Sequence, residues 1–197
     1  MKRARPHDRD AALDAALNLF WMKGYHATSL KDLEAALGMK PGSIYAAFSS
    51  KEALYLAALE RYFQRRRDTF QTMMEKATSP LEALANHLRS FGKTKADDPS
   101  RRACMLVKTL VDTTSEEAEI AERSRTYLDA LQADMTTAFD LAKSTGELPA
   151  NVDTSRLARR FQSSAAALSI EAHRGTDQSE FTALAEDMAQ EFERLRV

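Results

Sequence analysis

The 197-residue chain is poor in what builds sheets, stapled cores or membrane spans. Valine and isoleucine together number 7, against 33 alanines and 22 leucines. Strands draw on β-branched side chains, so this balance excludes a β-rich fold and favours helices. Only 6 glycines and 5 prolines are present, which suits long helices joined by few turns. A single cysteine, Cys104, excludes a disulfide within the chain and fits a reducing cytoplasm. The longest unbroken apolar run is seven residues, Ala53 to Leu59, where a membrane span needs roughly 18. The basic N-terminus (Lys2, Arg3, Arg5) leads into no apolar stretch and does not read as a signal peptide. No membrane partner is expected.

The signatures of catalysis are missing too. Neither GxGxxG nor GxxxxGK occurs, so no glycine-rich phosphate loop is present. The four histidines, His7, His26, His87 and His173, are scattered, with no HxxxH and no cysteine at ligand spacing. The expectation is therefore no catalytic group, no metal site and no cofactor, in a chain that is not an enzyme.

What is present is uneven in charge. Residues 1–67 carry 12 Lys and Arg against 7 Asp and Glu, whereas residues 68–197 carry 16 against 22. A basic head on an acidic body points to a polyanion partner at one end.

The apolar residues recur with the helical period throughout, predicting an all-α fold of about nine helices. Leu13, Ala16, Leu17 and Phe20 mark a first helix over 8–23. Thr28 is placed to cap a second over 29–37, with Leu30, Leu33 and Leu37 inward. Pro41 opens a short third helix ending at Phe48, at a position where no amide donor is missed. Ser49 and Glu52 have capping-box spacing, predicting a long fourth helix to about residue 77. Further stripes are Leu81, Leu84, Leu88 and Phe91, then a short segment over 101–111, and a long one over 115–143. The last two helices carry Leu157, Phe161, Ala165 and Leu168, and Phe181, Leu184, Met188, Phe192 and Leu195.

The second and third helices, joined by Gly38-Met39-Lys40, have the spacing of a helix-turn-helix. In that motif the second helix projects its N-terminal residues into a DNA major groove. The match extends further. Ala15-Ala16, Phe20, Lys23-Gly24-Tyr25, Thr28-Ser29, the block Gly38-Met39-Lys40-Pro41-Gly42-Ser43-Ile44-Tyr45, Phe48 and Ser50-Lys51-Glu52-Ala53-Leu54 together resemble the DNA-binding domain of TetR-type transcriptional regulators. The resemblance covers residues 11–59. Fainter likenesses lie in Gly146 to Asp153 and in the segment around Cys104.

This resemblance implies an N-terminal three-helix helix-turn-helix domain over 1–50 and a ligand-binding and dimerisation bundle over 51–197, with the fourth helix as connector. It implies DNA contacts from Thr28, Ser29, Lys40, Pro41, Gly42, Ser43, Tyr45, Ala46 and Lys51. Tyr45 and Lys51 would face phosphates, and Lys40 and Ser43 base edges. The chain departs from the family pattern at Glu34, where a small residue is usual, and at Ala46, where many members carry a large side chain. The last two helices would pair with their mates in a homodimer through Leu157, Phe161, Leu168, Phe181, Leu184 and Met188. The implied function is a cytoplasmic repressor, released from a palindromic double-stranded operator by a small apolar or electrophilic effector.

Phe70, His87, Phe91, Cys104, Met105, Tyr127 and Phe139 are candidates for the effector site. Each has a plainer reading as core, and Cys104 reads either as a buried thiol or as a sensor. An alternative function is a helical ligand-binding or redox-sensing protein that acts through a protein partner, without specific operator binding. The alanine-bearing third helix keeps that alternative open.

Overall fold

The structure, a computed structural model, describes residues 6–95, 98 and 101–197. The basic arm Lys2, Arg3 and Arg5 lies outside them. The described residues form nine α-helices: α1 (Pro6–Lys23), α2 (Leu30–Leu37), α3 (Pro41–Phe48), α4 (Lys51–Glu75), α5 (Pro80–Gly92), α6 (Met105–Asp112), α7 (Ala118–Ser144), α8 (Thr154–Arg174) and α9 (Gln178–Glu193). A single 3₁₀ turn, Ser115–Glu117, precedes α7, where the sequence predicts continuous helix. Thr114 and Glu117 close a capping box over this turn, so the chain enters α7 through it. The short segment predicted over 101–111 begins later, at Met105. No helix among the described residues is long and apolar enough to cross a membrane.

Two compact units divide the chain. The first comprises Met1–Arg65 and Met105–Tyr127, the second Arg66–Cys104 and Leu128–Val197. The first unit therefore includes α6 and the first part of α7.

In the first unit the apolar stripe of α1 supplies Leu13, Ala16, Leu17 and Phe20 to a core shared with Leu33, Ile44, Phe48, Leu54, Ala58 and Leu59. Phe20 and Tyr25 both meet the Tyr55 ring edge-on, at 4.9 and 5.0 Å between centroids. The buried Tyr55 hydroxyl is 2.7 Å from Thr109 Oγ1, which joins α4 to α6. Burial pushes the Tyr55 pKa up to about 12, so the phenol stays protonated. Arg61 of α4 donates to Asp10 and Asp14 of α1, and Arg65 adds a second bond to Asp14.

Two predicted caps fall one residue away from where the sequence places them. Thr28 does not cap α2. It is fully buried, and its hydroxyl donates to Gly24 O at 2.6 Å. Ser29 is the cap, exchanging bonds with Asp32 in a capping box. Ser49 and Glu52 form no box either. Ser50 caps α4, its Oγ accepting from the Ala53 amide at 2.9 Å, while Ser49 ends α3 with φ 67°.

The second unit is built on α5, α8 and α9. Gly92, at the end of α5, lies so close to α9 that an added Cβ would sit 3.0 Å from Thr182 Cα. The Gly92 carbonyl accepts from Gln178 and Thr182 of α9. Arg89 of α5 grips α9 with paired bonds to Glu186 and to Glu193, each at 2.7–2.9 Å. Those bonds lower the Glu186 pKa to about 2. Phe139, Phe161 and Phe192 pack mutually, ring to ring, in the core.

This core takes up most of the residues expected at a dimer contact. Leu157, Phe161, Leu168 and Phe181 are buried within their own chain. The apolar stripes of α8 and α9 face inward, with Leu184 and Met188 only partly covered. The large apolar residue that α8 leaves exposed is Ile170, at 49%.

Candidate nucleic-acid interface

The local physics of the α2–α3 turn is simple. Gly38 takes the left-handed conformation (φ 62°, ψ 27°) that ends α2 and that side chains resist. Lys40 then serves as the cap of α3 without a side-chain hydrogen bond, and Pro41 supplies its first turn. Ile44 and Phe48, four apart, anchor α3 to the core of the first unit. Arg9 of α1 braces the other end, its guanidinium 5.0 Å from the Phe48 ring centroid.

With one face anchored, α3 turns Gly42, Ser43, Tyr45 and Ala46 outward. Tyr45 is 42% exposed, unusual for a tyrosine that has core available beside it. Lys40 and Ser29 are exposed, and Pro41 and Lys51 partly so. Eight of the nine sequence-predicted contact residues thus keep accessible surface on the first unit. The ninth, Thr28, does not: its hydroxyl is spent on Gly24 O and its amide on Tyr25 O. Glu34, the departure in α2, keeps part of its surface in solvent.

The electrostatics narrow the roles. The Asp32 carboxylate accepts from Lys23 at 2.6 Å and from the Ser29 amide and hydroxyl at 2.8 Å. The Lys23 bond, then those from Ser29, hold its carboxyl well below the usual range. The Asp32 carboxylate therefore occupies the donors of Ser29 at the start of α2, one of the residues for which the resemblance implies a DNA contact. The Lys51 ammonium lies 4.5 Å from the Tyr25 ring centroid, and partial burial lowers its pKa.

Three further residues are not among the contacts expected from the sequence. Lys31 is exposed on α2. Tyr25 supplies the platform under Lys51. Lys108 of α6 donates to Met22 O at 3.1 Å, neutralising the carbonyl end of α1 across 86 positions of chain. Only long-range packing reveals the last two.

The effector candidates separate. Phe70, His87 and Phe91 come together in the second unit, with His87 5.7 Å from each of the other two rings and 5.9 Å from Phe161. Burial, then the Arg66 charge, push the His87 pKa down to about 3, so the imidazole is neutral. Phe139 is sealed in the core of that unit. Cys104 is half-buried, its amide 3.3 Å from Ser169 Oγ. Met105 and Tyr127 belong to the first unit, where Tyr127 stacks on Phe63 at 4.4 Å. Among the described residues, no group of three or more His, Cys, Asp or Glu side chains converges.

Comparison with known proteins decides the lineage. Residues 12–58 match the family described as bacterial regulatory proteins, tetR family, and residues 80–191 match the tetracyclin repressor-like C-terminal domain. The chain belongs to the TetR family. It is 30% identical over 176 residues to the HTH-type transcriptional repressor ComR of Escherichia coli K12, spanning 88% of this chain and 84% of that protein. The uncharacterized HTH-type regulator YezE of Bacillus subtilis 168 is 28% identical over 175 residues, 86% of this chain and 88% of its own. Among solved structures, a cysteine variant of the TetR-family regulator CifR complexed with 26-bp double-strand operator DNA superposes with a TM-score of 0.86. It is 27% identical and covers 96% of this chain and 98% of its own. As a TetR-family member the chain is an all-α transcriptional regulator, and its α2–α3 pair is the helix-turn-helix of that family.

Proposed function

We propose that this protein is a cytoplasmic, ligand-responsive repressor. A homodimer would hold a two-fold symmetric operator through its two α3 helices and release it when a small molecule enters the second unit. The observation that carries this reading is the α3 face. A short helix is fixed from behind by Ile44 and Phe48, while Gly42, Ser43, Tyr45 and Ala46 keep exposed surface on its other side. Relatives support the rest: ComR is named a repressor, and CifR is solved on operator DNA.

Positioning on DNA falls to Tyr45 and Lys51, whose donors suit phosphate oxygens. Ser43 is the side chain able to hydrogen-bond a base edge from α3. Two α3 helices related by a dyad require half-sites about one helical turn apart, roughly 34 Å, so the operator is an inverted repeat. Binding a ligand better in one state than the other is what shifts the protein off DNA.

The effector is a mainly apolar or aromatic molecule held against Phe70 and Phe91, with one polar group met by the neutral His87. A thiol-reactive effector acting on Cys104 is the other branch, and Cys104→Ser separates the two, since reversible binding survives that exchange. Selection of bound sequences from random double-stranded DNA tests the primary reading. An enriched inverted repeat supports it. Failure to enrich any sequence, by a chain that is folded and dimeric, overturns it.

A further inference from the structure

We infer that the operator is read at its centre of contact through a thymine methyl group, with Ala46 as the specificity-determining residue. This rests on the reading of the protein as an operator-binding regulator.

Ile44 and Phe48 point into the core, and Pro41 and Ala47 are partly covered beside them. Gly42 and Ala46, one turn apart, lie on the opposite side, with Ser43 and Tyr45 on the flanks. The two smallest side chains of the helix thus hold its most outward positions. Packing does not demand this: a Cβ built on Gly42 meets nothing within 4 Å.

Such a face reads DNA in a restricted way. Recognition of guanine by side chain uses the paired donors of Arg or a Lys, and recognition of adenine uses Asn or Gln. Within α3 the outward face has none of these, and Lys40, the one such side chain beside it, caps the helix ahead of its first turn. A methyl group does offer an apolar contact to the one base that carries a methyl in the major groove, thymine. With only Gly42, Ser43 and Ala46 at the middle of the face and Tyr45 to one flank, the α3 backbone can sit close to the groove floor, which brings the Ala46 methyl within reach. Ser43 at the flank adds one hydrogen bond of either polarity and so discriminates weakly.

The test uses the full-length protein and its selected inverted repeat. Each thymine is replaced in turn by deoxyuridine, symmetrically in both half-sites, which removes only the methyl. One position should weaken binding about fifteen-fold, that is about fourfold per half-site, the worth of one buried methyl. Placing 5-methylcytosine opposite guanine there should recover part of the loss over unmodified cytosine. In Ala46→Gly the penalty at that position should vanish while other positions keep theirs. Because glycine also weakens a helix, Ala46→Ser provides a second variant that keeps the helix and loses the methyl preference. Indifference to every deoxyuridine substitution, or a penalty unchanged in both variants, overturns the inference. If no sequence is selected at all, it is the operator reading that fails.

Discussion

The ammonium of Lys51 sits over the ring of Tyr25, 4.5 Å from its centroid, at the point where α4 begins. The ring holds the charge near the start of a helix whose first amides also attract anions. Replacing Lys51 by alanine should weaken binding to all DNA sequences alike. The slope of log affinity against log salt should become shallower by about 2 for the dimer, at about 0.9 per lost contact. Fluorescence anisotropy across a salt series measures this. An unchanged slope would confine Lys51 to its contact with Tyr25.

Ser49 ends α3 with φ 67° and ψ −51°, a region disfavoured for any side chain but open to glycine. Its neighbour Ser50 donates to Phe48 O at 2.8 Å, closing a tight three-residue turn around it. Ser49→Gly should therefore stabilise the protein by about 1 kcal/mol, raising the melting temperature by about 2–4 °C. Thermal unfolding followed by circular dichroism checks the sign.

The inward placement of the α8 and α9 stripes separates two kinds of variant. Phe181→Asp puts a charge into a closed core and should cost about 3–5 kcal/mol or more, giving unfolded rather than monomeric protein. Ile170→Glu alters a residue with half its surface in solvent. It should leave the protomer folded and weaken dimerisation by about 3–6 kcal/mol, because the change occurs twice across a two-fold axis. Sedimentation velocity distinguishes folded monomers from intact dimers. An Ile170→Glu protein that stays dimeric places the interface off this face of α8.

His87 predicts a pH dependence. Its folded pKa, about 3, lies below the value of about 6.5 in the unfolded chain. Folding then requires the neutral ring, so stability is full above pH 6.5 and falls as the pH drops from there toward 3. The loss should reach about 2 kcal/mol near pH 5 at 1.36 kcal/mol per unit. His87→Phe, which keeps an aromatic ring in the cluster, should flatten this part of the profile. Denaturant unfolding at a series of pH values reads it out, and a wild-type profile flat between pH 7 and 5 contradicts the assignment.

The sequence carries the local decisions well and the long-range ones poorly. Pro41 and Gly38 fix where α2 stops and α3 starts, because each has one conformational use there. Thr28 and Ser29 are equally able to cap, and what decides between them is the Gly24 carbonyl, which the folded turn brings to the Thr28 hydroxyl. Ser49 and Ser50 pose the same choice at the head of α4. Phe161 and Phe181 show a deeper limit. Helical periodicity reveals that α8 and α9 have an apolar face, but a face that packs on its own chain and one that packs on a partner have the same period. Tyr25 beneath Lys51 and Lys108 beneath the end of α1 depend on packing alone. The set proposed for the effector divides for that reason, with Tyr127 on Phe63 in one unit and His87 among phenyl rings in the other.

The central claim is that the outward face of α3 enters the DNA groove, and Ala46→Glu tests it most directly. The position is exposed and glutamate is a good helix former, so the fold and dimer should be unchanged by circular dichroism and sedimentation. A carboxylate there would face the polyanion at the point of closest approach. Anisotropy titration of Ala46→Glu against the selected inverted repeat should show specific binding abolished. Wild-type affinity for the same DNA would contradict the account.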